Sequence, residues 1–216
     1  MTDHESPQSP EDFTRQFTAP DGSYLGSAAL SASLDAARER QIADFNYRAT
    51  HDKLTGALNI DGLEDYLENS AHPPLAALLV DADNLKSVND KSPRKHARGH
   101  EAILATYQTI KDSVRPDDII ARTGGDEFVV LFVSPVRDGG QHLSAEELVE
   151  HTKARIDTAT SELLKQAENQ DLLSYGFGLS VGGAVWQEGM HANELIELAD
   201  ADMYIVKEAK KNRTQE

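Results

Sequence analysis

Cysteine is absent from the chain, which excludes disulfides, thiolate metal sites and thiol catalysis and leaves the redox compartment open. Positive charge is short: 21 Lys and Arg stand against 37 Asp and Glu, a formal net charge of -16. Polymeric nucleic acid and anionic membrane bind through Lys and Arg that neutralise phosphates, so neither is an expected partner. A small phosphorylated ligand stays open, because Mg²⁺ bridges acidic side chains to phosphates. No apolar run approaches the length of a membrane span. The N-terminal Met1-Thr-Asp-His-Glu-Ser-Pro lacks the basic and apolar regions of a secretory signal, so a cytoplasmic location is expected. What is present, 216 residues with 39% hydrophobic content, suffices for one core-bearing domain plus an appendage.

Residues 1–27 are rich in Ser, Pro, Asp and Gly and are expected to form a flexible tail, too short for a sensory domain. From 28 to 50, Leu30, Leu34, Ala37, Ile42 and Phe45 recur at spacings near three and four. That predicts an amphipathic helix, which either docks on the domain or pairs with another chain. The main domain is expected over 51–216. Its first helix runs Ile60 to Asn69, N-capped by Asn59, with Leu63, Tyr66 and Leu67 inward. Pro73-Pro74 stops it, and Leu75 to Val80 reads as a buried strand ending at Asp81. A helix over about 101–114 buries Ile103, Leu104, Tyr107 and Ile110; a hairpin spans 118–133. Ser144 and Glu147 are spaced as a capping box ahead of a helix to about Ala167. Residues 172–186 alternate as a strand whose glycines imply bends or close contacts, and a last helix covers 193–211. The order β-α-β-β-α-β-α predicts an α/β sandwich, a mixed central sheet flanked by helices.

At the hairpin tip, Arg122-Thr-Gly124-Gly125-Asp126-Glu127-Phe128 lies between two apolar runs. Gly124 and Gly125 permit positive φ and close backbone approach to a ligand. Asp126 and Glu127 offer hard oxygen ligands of the kind Mg²⁺ takes beside nucleotide phosphates. An ordinary acidic turn is the alternative. Asp81 ends a buried strand, and the hairpin brings Asp126 beside it if the two strands are neighbours; otherwise Asp81 caps the next helix. Lys207 and Lys211 are four apart and share a helical face, fit either to reach phosphates or to complement the helix dipole. Arg115 and Asp118 form either a ligand-binding pair or a surface ion pair.

Five ordered motifs make the chain resemble a GGDEF domain, the family of diguanylate cyclases, over about residues 51–213. They are Asp52-Lys-Leu-Thr-Gly56 with Asn59; Asp81-Ala-Asp-Asn-Leu-Lys86 followed by Asn89-Asp90; Arg115-Pro-Asp-Asp118; the hairpin signature; and Ser180-Val-Gly182 with Ala199-Asp200 through Tyr204 and Lys207. The resemblance implies a palm-like nucleotidyl-cyclase fold with the signature at a β-hairpin turn. It implies a homodimer that condenses two GTP into cyclic di-GMP and two pyrophosphates with Mg²⁺, or Mn²⁺ in its place. By that resemblance Asp81, Asp126 and the Ala82 carbonyl hold metal, and Glu127 contacts metal or the attacking ribose hydroxyl. GTP is held by Leu85, Lys86, Asn89, Gly124, Gly125, Lys207 and Lys211, with His100 at the position of a second base contact. Arg115 and Asp118 bind the cyclic product and throttle the enzyme, with Arg122 supporting that patch, while Asp83 is structural.

The chain departs from the family pattern at three points. Lys211 replaces an Arg, keeping charge but losing the bidentate fork. A longer basic stretch, Lys91 to Arg98, precedes Gly99, and His100 follows where the family has Asp. A carboxylate accepts two hydrogen bonds from guanine and a neutral imidazole one, so weaker or altered base recognition is expected unless Glu101 substitutes or the longer Lys91–Arg98 loop reads the base differently. His96 and His100 are four apart without a third ligand nearby, which does not make a transition-metal site. Two functional classes therefore remain: a cyclase, favoured by the intact signature, Asp81 and Lys207; and a degenerate module that binds cyclic di-GMP or GTP and signals through protein contacts, favoured by His100 and Lys211.

Overall fold

The computed structural model describes residues 26–133, 137–138 and 141–214; residues 1–25 of the expected tail lie outside them. Two units divide after Tyr47. The first contributes helix α1, Gly26–Thr50, which runs across that division and carries Leu34, Ile42 and Phe45 exposed.

The second unit contains α2 (Ile60–Asn69), β1 (Ala76–Asp83), α3 (Leu85–Lys91), α4 (His96–Ser113), β2 (Ile119–Arg122) and β3 (Glu127–Phe132). A short hairpin, β4 (Arg137–Asp138) with β5 (Gln141–His142), is followed by α5 (Ala145–Lys165), a 3₁₀ turn (Ala167–Asn169), α6 (Gln170–Ser174), β6 (Gly178–Val185) and α7 (Ala192–Thr214). The main sheet has the order β2-β3-β1-β6, and its pairs are all antiparallel. Among the described residues, parallel pairing outside it is the bridge Leu58–Ala121. The expected α/β sandwich is thus present, with the signature at the β2–β3 turn, but its central sheet is antiparallel rather than mixed, because β1 pairs antiparallel with both β3 and β6.

Local chemistry accounts for the elements that sequence reasoning located. The Asn59 side chain accepts a hydrogen bond from Gly62 N at 2.8 Å and starts α2. Ser144 and Glu147 complete both halves of the capping box of α5. β1 is buried from Ala76 to Ala82 because helices cover both faces of the sheet, as an uninterrupted apolar strand requires. Leu78, Val80, Phe128 and Phe132 face Val88, Ile103, Ile110 and Ile156 on one side. Ala77, Leu79, Val129 and Leu131 face Leu63, Leu195, Ala199 and Met203 on the other.

Three further expectations are corrected. The stretch Lys91 to Arg98 is not a loop: α3 ends in it, a turn with Lys95 at φ 47° follows, and α4 begins at His96. Leu104 is 41% exposed rather than inward, since the buried stripe of α4 follows Ala102, Ile103, Thr106 and Ile110. The segment before Gly178 is a 3₁₀ turn and a short helix, and the strand is confined to Gly178–Val185.

The glycine of closest packing is Gly182, in β6 under α7. A Cβ there would fall 2.0 Å from Met203 N and 2.3 Å from Ala199 O, backbone atoms that cannot turn aside. Gly182→Val is expected to lower the unfolding free energy by roughly 3 kcal/mol, read as a lower urea midpoint with an unchanged m-value.

Candidate functional site

The pairing of β1 with β3 builds the site. Asp81 is opposite Glu127 in the register, and Ala82 N donates to Asp126 O at 2.9 Å. The two acidic segments are therefore neighbours at one end of the sheet. Asp81 does not cap the following helix, because Asn84 occupies the cap position of α3. Asp81 is 3% exposed, and Lys207 Nζ lies 2.7 Å from Oδ1 as an ion pair. That oxygen has no well-formed hydrogen bond. Burial pushes the Asp81 pKa above the usual carboxylate range; Lys207 opposes the shift, and Asp126 and Asp83 add to it. Burial, Asp126, Asp81 and Asp200 also raise Glu127. Burial works against the charge on Lys207, but the contact with Asp81 outweighs it and holds the ammonium pKa above its ordinary value. Negative charge is thus crowded here with one ammonium against it.

The hairpin tip differs in mechanism from the expectation. Gly124 and Gly125 are not among the positive-φ glycines, which are Gly56, Gly176 and Gly189 among the described residues. Gly124 lies against the Glu127 side chain: a Cβ there would come 2.8 Å from Glu127 Oε2, the mobile end of that side chain. A Cβ on Gly125 would meet nothing within 4 Å, so that face is open to a ligand. Arg122 does not extend the Arg115 patch. Its Nη1 donates to both oxygens of Asp52 at 3.0 and 3.2 Å and its Nη2 to Gly125 O at 2.5 Å, tying the tip to the Asp52-Thr55 turn. Thr55 donates to Asp52 through both backbone and hydroxyl. Despite partial burial, these bonds and Arg122 hold the Asp52 pKa below the usual range.

A cleft of about 370 Å³ opens beside Asp81, lined by Asp83, Asn84, Gly176, Phe177, Gly178, Lys207, Lys210 and Lys211. Lys207 thus borders both the acids and the cleft. Lys211 is exposed and paired with Glu208 at 2.6 Å. Asp83 accepts from Ser180 Oγ at 2.9 Å on both oxygens and lies 3.5 Å from Lys210 Nζ, which also donates to Leu179 O. Leu85 and the exposed Lys86 stand in the first turn of α3, outside the lining of that cleft.

At the far end of α3, Asn89 lies against Gly99: a Cβ there would fall 2.1 Å from Asn89 Oδ1. His100 is exposed on the next residue of α4, as is His96. Glu101 is already engaged, because Arg94 donates to both its oxygens and Arg98 donates to Oε2. Across the domain, Arg115 N donates to Asp118 Oδ2 at 2.9 Å. Asp118 is 9% exposed, and burial raises its pKa against the backbone bonds from Arg115 and Val133. The pair lines a groove of about 840 Å³ with Tyr66, Tyr107 and Lys111.

Among the described residues, no three His, Cys, Asp or Glu side chains form a metal cluster. Mg²⁺ commonly takes only one or two carboxylates and fills its octahedron with water and substrate phosphate. The crowded Asp81, Asp126 and Glu127, with Asp81 Oδ1 underbonded, suit such an ion. Sequence reasoning missed Lys210, which its spacing from Lys207 on one helix would have indicated, and Asn84. Asn84 adopts φ 59° and donates to Gly176 O at 2.7 Å, a contact without local sequence signal.

Residues 49–213 match the family model described as diguanylate cyclase, GGDEF domain, and the chain belongs to the GGDEF family. An uncharacterised protein of Mycobacterium tuberculosis is 32% identical over 187 residues, 84% of this chain and 28% of that protein. Diguanylate cyclase DosC of Escherichia coli is 29% identical over 147 residues, 68% of this chain and 29% of that one. The chain therefore spans less than a third of these curated relatives. The coiled coil and GGDEF domain of Caulobacter crescentus DgcB, solved in complex with c-di-GMP, matches with a TM-score of 0.66 at 23% identity, covering 86% of this chain and 95% of that one, and shows the shared fold. The DgcB GGDEF domain alone, also with c-di-GMP, matches at 26% identity and TM-score 0.60 over 74% of this chain and 91% of that one. No helix among the described residues is long and apolar enough to cross a membrane.

The charge crowding predicts a pH effect. Glu127 binds its proton more tightly folded than unfolded, so its ionisation weakens the fold as pH rises through the ordinary value of 4.5 toward the raised one. Glu127→Gln is expected to raise neutral-pH stability by up to about 1 kcal/mol, a figure discounted for solvent screening. In metal-free buffer the melting curves of variant and parent should converge at about pH 4 and separate at neutral pH.

Proposed function

We propose that this protein is a diguanylate cyclase, joining two GTP into cyclic di-GMP with release of two pyrophosphates. The observation that carries the reading is the meeting of Asp81, Asp126 and Glu127 at one sheet end, with Lys207 between them and the lysine-lined cleft. A binding module has no need of that costly concentration of charge.

In this reading the 3′ hydroxyl oxygen of one GTP bonds to the α-phosphorus of the other while the bond from α-phosphorus to the bridging oxygen breaks. The second GTP reacts in the same way. Glu127, whose raised pKa suits a proton acceptor, takes the hydroxyl proton. Asp81, Asp126 and the Ala82 carbonyl would hold Mg²⁺, or Mn²⁺ in its place; the chemistry such an ion supplies is a more acidic hydroxyl and neutralised phosphate charge. Lys207 exchanges Asp81 for the departing pyrophosphate, and Lys211 and Lys210 add charge along the cleft. Leu85 and Lys86 complete the triphosphate contacts, and the open face of Gly125, next to Gly124, leaves room for the reacting phosphate.

Two half-sites must face each other, so the active form is a homodimer. The exposed Leu34, Ile42 and Phe45 of α1 offer an apolar surface for a second copy. Arg115 and Asp118, in their groove of about 840 Å³, are proposed to take the cyclic product and inhibit turnover. A cytoplasmic site of action, where GTP is available, belongs to the same proposal.

The second reading, a module that binds nucleotide without turnover, is favoured by the base corner. Exposed His100 stands where relatives carry Asp, and Glu101 is held by Arg94 and Arg98.

Purified protein incubated with GTP and Mg²⁺ should yield cyclic di-GMP resolved by chromatography, and Asp126→Ala should abolish it. His100→Asp is expected to raise kcat/KM for GTP about tenfold, equivalent to roughly 1.4 kcal/mol from a charged base contact. GTP binding without product at concentrations that enforce dimers would favour the binding module.

A further inference from the structure

Arg98 is the buried cation that the cyclase reading leaves without a role. It is 4% exposed and lies at the base corner, next to Gly99. Its guanidinium reaches across more than seventy residues of sequence. Nε donates to Asp171 Oδ2 at 2.9 Å and Nη2 to Asp171 Oδ1, forming a fork. Nη2 also meets Glu168 O at 2.9 Å and Asn169 Oδ1 at 3.2 Å, while Nη1 donates to Glu101 Oε2 at 3.0 Å. A buried arginine satisfied on so many sides fixes the spacing of the segments it joins.

Those segments belong to one closed ring. From Asp171 the chain turns through α6, with Phe177 N bonded to Leu172 O, to Gly176, whose carbonyl accepts from Asn84 Nδ2 at 2.7 Å. Asn84 begins α3, and Asn89 on α3 returns to Gly99, where a Cβ would sit 2.1 Å from Asn89 Oδ1. Asn84, Gly176 and Gly178 line the phosphate cleft, and Asn89 and His100 flank the base corner. The ring therefore sets the distance between the two subsites that one nucleotide must span.

We propose that Arg98 is a positioning residue for nucleotide binding, clamping the start of α4 to the 168–171 segment so that the base corner and the phosphate cleft stand one GTP apart. This rests on the cyclase reading for the identity of the nucleotide. It acts on binding of the ground state more than on the chemistry, since Arg98 touches neither the acids nor Lys207.

The test compares Arg98→Lys, Arg98→Met and Asp171→Asn with the parent. Equilibrium binding of a non-hydrolysable GTP analogue, the KM and kcat for GTP, and the melting temperature are measured together. The inference predicts that Arg98→Met raises both the analogue Kd and KM about tenfold with kcat within about twofold. Arg98→Lys should restore part of the affinity, because it keeps the charge but not the fork. Ile156→Val, a buried core change on α5, serves as a control that lowers the melting temperature without moving KM. Should the Met variant fail to fold, the Lys and Asn variants carry the comparison. Unchanged Kd and KM beside a lowered melting temperature would overturn the inference and leave Arg98 as a stabilising staple. Absence of analogue binding by the parent protein would overturn the inference together with the cyclase reading.

Discussion

The antiparallel register of β1 with β3 is the constraint on which the rest of the structure depends. It sets Asp81 opposite Glu127 and bonds Ala82 to Asp126, so carboxylates distant in sequence meet where the strands leave the core. Concentrating negative charge at the edge of a low-dielectric interior is unfavourable. The raised pKa values of Asp81 and Glu127 record that cost. Lys207, 2.7 Å from Asp81, offsets part of it. A site under this tension would be relieved by additional positive charge, which is the physical basis for proposing that a divalent ion binds there with a phosphate ligand.

Helix α7 couples this site to the fold. Its Leu195, Ala199 and Met203 pack into the lower half of the core, its close approach to β6 depends on Gly182, and Asp202 accepts from Gly183 N at 2.8 Å. The same helix then presents Lys207, Lys210 and Lys211 to the cleft. The position of the cationic side chains is therefore set by packing rather than by a mobile loop, which would limit the reorganisation needed for the proposed phosphate binding. On the opposite face, the α3–α4 corner is held by polar contacts: Asn84 to Gly176 and Arg98 to Asp171.

Elements with local signals were legible in the sequence. The Asn59 cap, the Ser144–Glu147 box and the apolar run of β1 determine their own structures through neighbouring residues, and the observed boundaries fall close to the expected ones. The α3–α4 corner was not legible. α3 is short, its first residue follows an asparagine in the left-handed region, and the Pro93-Arg-Lys stretch has the composition of a loop. That stretch is a turn leading into α4 at His96, and Arg98 in the first turn of α4 is held by partners at 168–171 that are invisible to any local pattern. The site divides in the same way. Asp81, Asp126, Glu127 and Lys207 could be read from motif spacing, and the structure brings them together. The tip glycines were located, but the positive φ expected of them is not adopted, while the face of Gly125 is open as a close ligand approach requires.

The central claim is that metal and triphosphate meet at the Asp81–Asp126 end of the sheet. The most direct measurement is a crystal structure with Mn²⁺ and a non-hydrolysable GTP analogue, with the ion located by its anomalous scattering. The account predicts an anomalous peak within coordination reach of Asp81 and Asp126, phosphates against Lys207 and the base at Asn89. Nucleotide bound only in the Arg115 groove, with no peak beside Asp81, would contradict it.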